Sequence, residues 1–171
     1  MLDFVEGCDF EEFSKYLTKL GLYAAEDELG KLEANLDSGF FRLVVFREDG
    51  KLVGHAIWHE SNTDEHREGL PRDEVDRNIL RGFLGGKHDF VELHELWLAN
   101  SHRGRGYGKR FLDFFEEYLR GRGYGSLVFY AFHPAALRIC RERGYKEAYG
   151  VEECGPYGEK VTSYVFYLKL R

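Results

Sequence analysis

The sequence predicts an α/β protein in which a mixed β-sheet is flanked by helices. Three observations support this fold class. Helical and strand patterns alternate along the chain, a long apolar-rich strand pattern runs directly into a helix, and no further apolar segments indicate a second core. The 171 residues are about the length of one domain, which is enough to bury a sizeable core. We therefore expect a single domain over residues 1–171.

The first third of the chain predicts a strand, two helices and a hairpin. LDFVEG (2–7) has the pattern of a short strand. Asp9 and Glu12 have the spacing of a capping box, which marks the start of a helix. Apolar positions between Ala25 and Leu36 indicate a second helix. FFRLVVFRE and KLVGHAIWHE flank Asp49-Gly50, a dipeptide typical of hairpin turns, and their His55, Trp58 and His59 are expected to be packing residues.

A polar insertion, residues 61–87, separates the third predicted strand from the fourth. Within it, Pro71 indicates the start of a short helix with Val75, Ile79 and Phe83 as its apolar residues. Charged residues are frequent here, and such a segment is usually a solvated surface. Because the insertion lies between two central strands, the alternative is that it walls the site of an acceptor molecule.

The second half of the chain alternates strands and helices. HDFVELHELWLAN (88–100) predicts a long, largely buried fourth strand, and a helix with a wide apolar face follows from Tyr107 to Tyr118. The strand SLVFYAF (126–132), the short helix HPAALRICRERG (133–144) and a closing strand pair complete the order.

Composition and charge exclude several classes of protein. The net charge is −6 and the pI about 5.7, whereas a general nucleic-acid binder should be basic. Cys8, Cys140 and Cys154 have the spacing of neither a disulfide framework nor a metal site, so no metal is expected. Neither a signal peptide nor a membrane-spanning run is visible. We expect a cytoplasmic protein, monomeric or homodimeric, that binds neither nucleic acid nor membrane.

The hexapeptide RGRGYG occurs twice, at 103–108 and at 120–125. The first copy lies between a strand pattern and a helix pattern, whereas the second ends that helix. Only a helix N-terminus offers free backbone N–H groups to an anion. The first copy is therefore the candidate anion-binding loop, and the second is a helix stop.

The first copy and the residues after the fifth strand together resemble the GNAT superfamily of acyl-CoA-dependent N-acetyltransferases. Arg103 to Gly108 fits the motif R-x-x-G-x-G at a strand-to-helix turn. A second motif of the family matches at Ala136, Gly144 and Tyr145. His133 replaces its usual Asn, and Cys140 replaces its usual Tyr. The resemblance is good over about residues 91–144, and the order of elements also agrees.

This resemblance implies a sheet that opens between the fourth and fifth strands, with acetyl-CoA as cosubstrate and an amine as acceptor. The loop would hold the CoA pyrophosphate on its N–H groups, and the Leu98 N–H would lie beside the thioester, where it could stabilise a developing oxyanion. The implied cofactor-binding residues are Leu98, Arg103, Gly104, Arg105, Gly106, Tyr107, Gly108, Lys109, His133 and Ala136.

Two carboxylates on the fourth strand are candidates for the base that deprotonates the amine. The position of Glu92 relative to Arg103 matches the catalytic Glu of the histone-acetylating branch of the resembled family. Strand alternation places Glu92 and Leu98 on one face and Glu95 on the other, unless a bulge intervenes. With Leu98, these are the predicted catalytic residues.

The general acid is less well defined, because Cys140 stands where the family has Tyr. Cys140 has the helical spacing of a core residue, so we expect a structural role. Tyr130 and Tyr145 are other possible donors, and His133 either contacts cofactor or caps a turn. The sequence thus predicts an N-acetyltransferase acting on a small-molecule or protein amine. The alternative is a non-catalytic or regulatory acyl-CoA-binding module of the same fold.

Overall fold

The computed structural model describes residues 1–171 as one seven-stranded sheet with helices on both faces. The strand order is β1-β2-β3-β4-β5-β7-β6, and every neighbouring pair is antiparallel except β4 and β5. The strands are β1 (Leu2–Glu6), β2 (Arg42–Glu48), β3 (Lys51–Asn62), β4 (Asp89–Leu98), β5 (Ser126–Ala131), β6 (Lys146–Cys154) and β7 (Lys160–Lys169). The helices are α1 (Phe10–Leu20), α2 (Glu28–Asp37), α3 (Asp73–Leu84), α4 (Tyr107–Gly121) and α5 (Pro134–Glu142).

The sheet opens between its two parallel strands. β4 and β5 are paired only where Val91, Glu92 and Leu93 face Leu127, Val128 and Phe129. Beyond Leu93, β4 continues to Leu98 without a partner on β5. The mixed, splayed sheet predicted from the resemblance is therefore confirmed. The opening leaves backbone N–H and C=O groups at two strand edges available for other partners.

One face of the sheet is covered by α4 and α5. Their apolar residues join those of the central strands in a core of 20 buried residues, which includes Trp58, Phe111, Phe115 and Cys140. Burial of each large side chain of this kind contributes about 1.5–3 kcal/mol of transfer free energy. This core fixes the start of α4 against the end of β4, where the first RGRGYG lies.

The other face is covered by α1 and α2 over β2 and β3, and by α3 over β4, β5 and β7. In α3, Leu80 and Leu84 pack with residues such as Phe90 and Val128. The insertion is solvated on its outer side, where Asp64, Glu65, Glu68 and Glu74 are exposed, whereas the inner side of its helix covers the sheet next to the opening.

The apolar residues predicted for α3 are also largely on the wrong side. Val75 and Phe83 are exposed, whereas Asp76, Leu80 and Leu84 face the sheet. Both sets repeat every four residues, so the helical period alone could not choose between them. Because the buried set includes the charged residue Asp76, its pattern did not indicate an apolar face.

Some element boundaries differ from the sequence-based ones. β3 extends to Asn62, into the predicted insertion, and α2 begins at Glu28, after Ala25. The second RGRGYG ends α4, with Gly123 at φ 92° in the left-handed region. No helix combines the length and the apolar character that crossing a membrane requires.

Candidate active site

The loop between β4 and α4 holds its glycines in a conformation that other residues rarely adopt. Gly104 has φ 75° and Gly106 has φ 78°, and a Cβ atom built on either would meet nothing within 4 Å. The requirement for glycine here is therefore one of backbone conformation, and the space above both residues is open. An anion could approach the backbone closely at these two positions.

The N–H groups of this loop have no acceptor within the protein. None of the six N–H groups from Gly104 to Lys109 donates a hydrogen bond, and the first to do so is that of Arg110, to the Gly106 carbonyl at 3.1 Å. They lie at the N-terminus of α4, where the helix dipole is positive. The loop thus has both the donors and the field that an anion such as a pyrophosphate needs.

The side chains of the loop are held in different ways. Arg103 donates from Nε to the Leu98 carbonyl at 3.0 Å and lies over the ring of Trp97. Arg105 forms an ion pair with Glu48, which also accepts the hydroxyl of Tyr107. Tyr107 is consequently buried as an anchor of the loop. Lys109 is exposed and forms no ion pair, so its charge is available to a bound phosphate.

Next to the loop, the backbone of Leu98 is directed into the opening of the sheet. Ala99 donates its N–H to the Val53 carbonyl on the β3 side at 2.9 Å. Successive residues of a strand direct their N–H groups to opposite edges. The Leu98 N–H is therefore directed toward β5, across the splayed edge.

A β-bulge in β4 decides which side chains face the candidate acceptor side. His59 pairs with Glu92 and Trp58 with Leu93, but the next residue of β3, Ile57, pairs with Glu95. His94 is the extra residue, and it shifts the alternation by one. Glu92 and Glu95 consequently lie on the same face, the one covered by α1 to α3. The strict alternation that separated them is wrong, and Leu98 lies on the opposite face.

Glu95 is held by two side chains. His55 Nε2 contacts its Oε1, and the Tyr23 hydroxyl donates to its Oε2 at 2.5 Å. Burial raises the pKa of the Glu95 carboxyl. The charge and hydrogen bond of His55 and the hydrogen bond from Tyr23 lower this pKa by more than burial raises it, so the net shift is downward. Both oxygens of Glu95 are thus occupied.

Glu92 lies among three histidines. Its Oε2 is 3.2 Å from His66 Nδ1 and 3.6 Å from His59 Nε2, and its Oε1 is 3.8 Å from His94 Nδ1. Burial raises the pKa of the Glu92 carboxyl, but its interactions with the neighbouring histidines, His66 first, outweigh burial and lower it below its ordinary value. The pKa of His59 is lowered by burial, whereas that of His94 is raised, since Glu92 outweighs its burial. Glu92 is therefore ionised near neutral pH.

Tyr130 is the first residue of β5 beyond the part that pairs with β4, and its side chain lies on the same face of the sheet as Glu92. Its hydroxyl lies 2.5 Å from His66 Nε2 and 3.2 Å from the Tyr149 hydroxyl. Arg67 lies over its ring and donates to Glu153 of β6 at 2.8 Å. Burial strongly raises the pKa of Tyr130, so the phenol is protonated at neutral pH. The insertion thus walls this side of the opening, as the alternative interpretation held.

The residues of the second motif are not gathered at this face. Cys140 is fully buried in the core below α5, and burial raises the pKa of its thiol to about 12. Tyr145 donates to Glu116 at 2.6 Å within the same core. His133 caps α5 by accepting the Ala135 N–H at 3.2 Å, while its side chain is exposed, and Ala136 packs against the core. Tyr130 is therefore the better placed of the candidate acids.

Several site residues escaped sequence reasoning. His66 and Arg67 lie in a charge-rich segment without periodicity, and no sequence signal connects them to β4 and β5. Tyr23 lies in the short segment between α1 and α2, and His55 was predicted to be a packing residue. The aromatic and histidine content of the strands was visible, but only the folded register brings these side chains together.

The loop between β6 and β7 bridges the opening to α1. Tyr157, at the tip of this hairpin, donates from its hydroxyl to the Leu20 carbonyl at 3.3 Å. Its ring lies against Trp97 of β4, with 6.1 Å between centroids. This contact joins the two halves of the sheet on the side where Glu92 and Glu95 lie.

The combined geometry is an anion-binding loop, an open pair of strands and an acidic face that meet at one end of the sheet. The sequence matches the model of the acetyltransferase (GNAT) family over residues 8–145. The chain belongs to this family. The GNAT fold accounts for the parallel β4–β5 pair and for the position of the glycine loop after β4.

Solved GNAT structures resemble the chain over nearly its whole length. Arabidopsis thaliana NAA60 in complex with acetyl-CoA has a TM-score of 0.70 and 15% identity, with 99% of this chain and 98% of that chain covered. A Drosophila melanogaster polyamine N-acetyltransferase has a TM-score of 0.64 and 16% identity, with 98% and 100% covered. A mosquito arylalkylamine N-acetyltransferase-like protein has a TM-score of 0.68 and 13% identity, with 98% and 100% covered. A comparison with curated protein sequences found no significant match.

Proposed function

We propose that the chain transfers an acetyl group from acetyl-CoA to a primary amine. The observation that carries this proposal is the run of six N–H groups without acceptors at the start of α4, directly beside the unpaired end of β4. A dianionic pyrophosphate fits the loop, and an extended chain that hydrogen-bonds to strand edges fits the opening. The acetyl-CoA seen with NAA60 in the same fold supports this assignment.

The residues that would hold acetyl-CoA follow from this geometry. The loop from Gly104 to Lys109 would receive the pyrophosphate, with Lys109 as its free positive charge. Arg103 and Arg105 would fix the loop through their bonds to Leu98 and Glu48. The Leu98 N–H would donate to a carbonyl oxygen in the opening. The cosubstrate supplies an activated acetyl group and a thiolate leaving group.

The acceptor side is acidic, which suits an amine that arrives as a cation. Glu92 and Glu95 are ionised on the face toward the insertion, and Glu153 lies on β6 beside Tyr130 and Tyr149. The amine must lose a proton before it attacks, and for a pKa near 10.4 this costs about 4.6 kcal/mol at pH 7. A proton acceptor near the amine nitrogen is therefore required.

Glu92 is the better placed of the two carboxylates to assist this step. Both oxygens of Glu95 are engaged by His55 and Tyr23, and its surroundings are those of a structural anchor. Glu92 is less constrained, because its Oε1 has only His94 nearby, at 3.8 Å. It also lies where β4 and β5 begin to separate, opposite Val128.

The proposal is tested by measuring CoA release from acetyl-CoA with a panel of amines. Agmatine and an arylalkylamine such as phenethylamine represent the acceptor classes named for structural neighbours, and a short peptide with a free N-terminus adds a protein amine. Amine-dependent CoA release above the rate without protein supports the transferase. Tight acetyl-CoA binding without release for any amine contradicts it and supports the regulatory acyl-CoA-binding module. Failure to bind acetyl-CoA contradicts both.

A further inference from the structure

His66, which the insertion supplies, connects the carboxylate on β4 with the phenol on β5. Its Nδ1 lies 3.2 Å from Glu92 Oε2, and its Nε2 lies 2.5 Å from the Tyr130 hydroxyl. The side chain is almost fully buried, so solvent does not compete for either nitrogen. The three residues therefore form one continuous chain across the point where the sheet begins to open.

The chemistry of the three groups fixes the direction of the hydrogen bonds. An ionised carboxylate only accepts, so the proton of a neutral His66 lies on Nδ1, at ion-pair distance from Glu92. Nε2 then has a free lone pair and accepts the hydroxyl proton of Tyr130. The order carboxylate, imidazole and hydroxyl is that of the serine hydrolase triad, in which the imidazole takes the hydroxyl proton and the carboxylate stabilises the imidazolium.

We propose, on the basis of the acetyl transfer proposed above, that Glu92, His66 and Tyr130 work as a single proton-transfer chain. In this chain Tyr130 receives the proton of the attacking amine and later returns it to the leaving sulfur. His66 stores the proton between the two events, and Glu92 assists by stabilising the charged imidazole. His66 acts through Tyr130 and is thus a positioning and proton-storage residue that does not touch the substrate.

The steps start from the neutral amine, whose ammonium proton has already passed to solvent, and from there they balance without any other reagent. The nitrogen lone pair forms the C–N bond with the thioester carbonyl carbon, a proton moves from nitrogen to the Tyr130 oxygen, and the Tyr130 proton moves to His66 Nε2. The C–S bond then breaks and the sulfur leaves with the bonding electrons. Tyr130 gives its proton to the sulfur and regains one from His66 Nε2. The products are an amide and a thiol, and all three residues return to their starting states.

Charged groups of both signs lie around His66, among them Arg77, which donates to its backbone carbonyl at 3.3 Å. The ionised Glu92 lies on one side, and Asp76 of α3 faces the same region. His59 of β3 also contacts Glu92, and its pKa is lowered, chiefly by burial. An imidazole is a better proton acceptor near neutral pH than a carboxylate whose pKa is depressed. The Tyr149 hydroxyl, 3.2 Å from that of Tyr130, fixes the phenol between the strands.

Three variants separate proton storage from a structural role. His66→Gln keeps a polar group that can bridge the two partners but cannot hold a proton, and His66→Ala leaves a cavity. We expect kcat to fall by about 10²–10⁴-fold in both, with KM for acetyl-CoA little changed. His59→Gln is the matched control, because His59 contacts Glu92 but not Tyr130, and it should lose far less.

Imidazole added to His66→Ala should restore turnover, and a series of imidazoles and triazoles should restore it according to their basicity. A structural filler would rescue without regard to basicity. If His66→Gln and His66→Ala fold normally and turn over like the wild type, the proton-transfer chain is ruled out while the proposed function stands. The proton-transfer chain is also ruled out if rescue of His66→Ala does not depend on the basicity of the added imidazole or triazole.

A second measurement does not depend on turnover. The ¹⁵N resonances of the His66 ring should show a protonated Nδ1 and an acceptor Nε2, and Tyr130→Phe should shift Nε2 while Glu92→Gln shifts Nδ1. Unchanged resonances in both variants would show that the bonds do not exist, and would overturn the chain whatever the activity. If the wild-type protein shows these bonds but releases no CoA with any amine, the result contradicts the proposed transferase. The role of the proton-transfer chain in acetyl transfer is then contradicted as well.

Discussion

Glu92 and Glu95 face the same side of the sheet although they are three positions apart on one strand. The bulged residue His94 lies between them and shifts the alternation, so that Glu92 pairs with His59 and Glu95 with Ile57. Without the bulge, one of the two carboxylates would point into the apolar core below α4. The carboxylates instead have separate environments, Glu92 among histidines near the insertion and Glu95 between His55 and Tyr23.

The two copies of RGRGYG provide a matched pair of variants for acetyl-CoA binding. Gly106 and Gly123 both have positive φ values, 78° and 92°, so a valine strains the backbone at either position. Gly106→Val should also place methyl groups in the open space above the loop and should abolish acetyl-CoA binding in calorimetry. Gly123→Val should lower the free energy of unfolding but preserve affinity. Equal losses of affinity would contradict the assignment of the first copy.

The two candidate tyrosines should differ sharply when their hydroxyls are removed. Tyr145→Phe loses a buried hydrogen bond to Glu116, which should cost about 1–3 kcal/mol of stability and leave turnover unchanged. Tyr130→Phe should lower kcat by about 10²–10⁴-fold with a smaller change in stability. CoA release and urea unfolding of both variants provide the comparison. The reverse pattern would move the proton donor to the core side of α5.

Cys140 should tolerate only small changes. It is fully buried, and its thiol forms no hydrogen bond, so Cys140→Ser should cost about 1–3 kcal/mol through an unpaired hydroxyl. Cys140→Ala should be milder, while Cys140→Tyr should overpack the core and destabilise it by about 1–3 kcal/mol or more. Denaturant unfolding measures all three. A stable, normally folded Cys140→Ala variant that loses about 100-fold in turnover would instead make the thiol the general acid.

The depressed pKa of Glu92 predicts an acid-sensitive contribution to stability. The ordinary pKa of this carboxyl is 4.5 and the folded value lies below it, so in that range the unfolded chain binds more protons than the folded one. The contribution is present above pH 4.5 and is lost as the pH falls toward the folded pKa. Each unit of depression corresponds to about 1.4 kcal/mol. Unfolding of the wild type should therefore depend on pH between 5 and 3 more steeply than that of Glu92→Gln. Parallel curves would show that Glu92 is not held by the histidines.

The sequence predicted the parts of the fold that repeat a local pattern. The helix cap at Asp9, the hairpin at Asp49-Gly50 and the glycine loop before α4 depend on neighbouring residues, and all three lie where they were expected. The Glu12 side chain, however, pairs with Arg47 and returns no bond to Asp9. The buried face of α3 could not be predicted, because Asp76 is a charged member of it and is neutralised by Arg67 from another part of the insertion.

Only those residues of the candidate site that lie on strands could be predicted from the sequence. Glu92, Glu95 and Tyr130 lie on elements with clear patterns, and the offset of Glu92 from the loop made it a candidate for the base. His66 comes from an aperiodic segment, and its role depends on how the insertion folds over the sheet. Long-range pairing of this kind leaves no periodic trace, so the structure was needed to find it.

The contact between Tyr157 and α1 makes the opening of the sheet a closed ring. Its boundary runs along β4 and β5, through the β6–β7 hairpin, and back across Leu20 to the strands under α1. A proposed acceptor that approached the carboxylates from the side of Tyr157 would pass through this end of the ring first. Such threading favours an amine at the tip of an extended chain over one on a bulky branched centre. Under the acetyl transfer proposed above, a single exposed tyrosine would set a size limit on the acceptor, at a distance from Glu92, His66 and Tyr130.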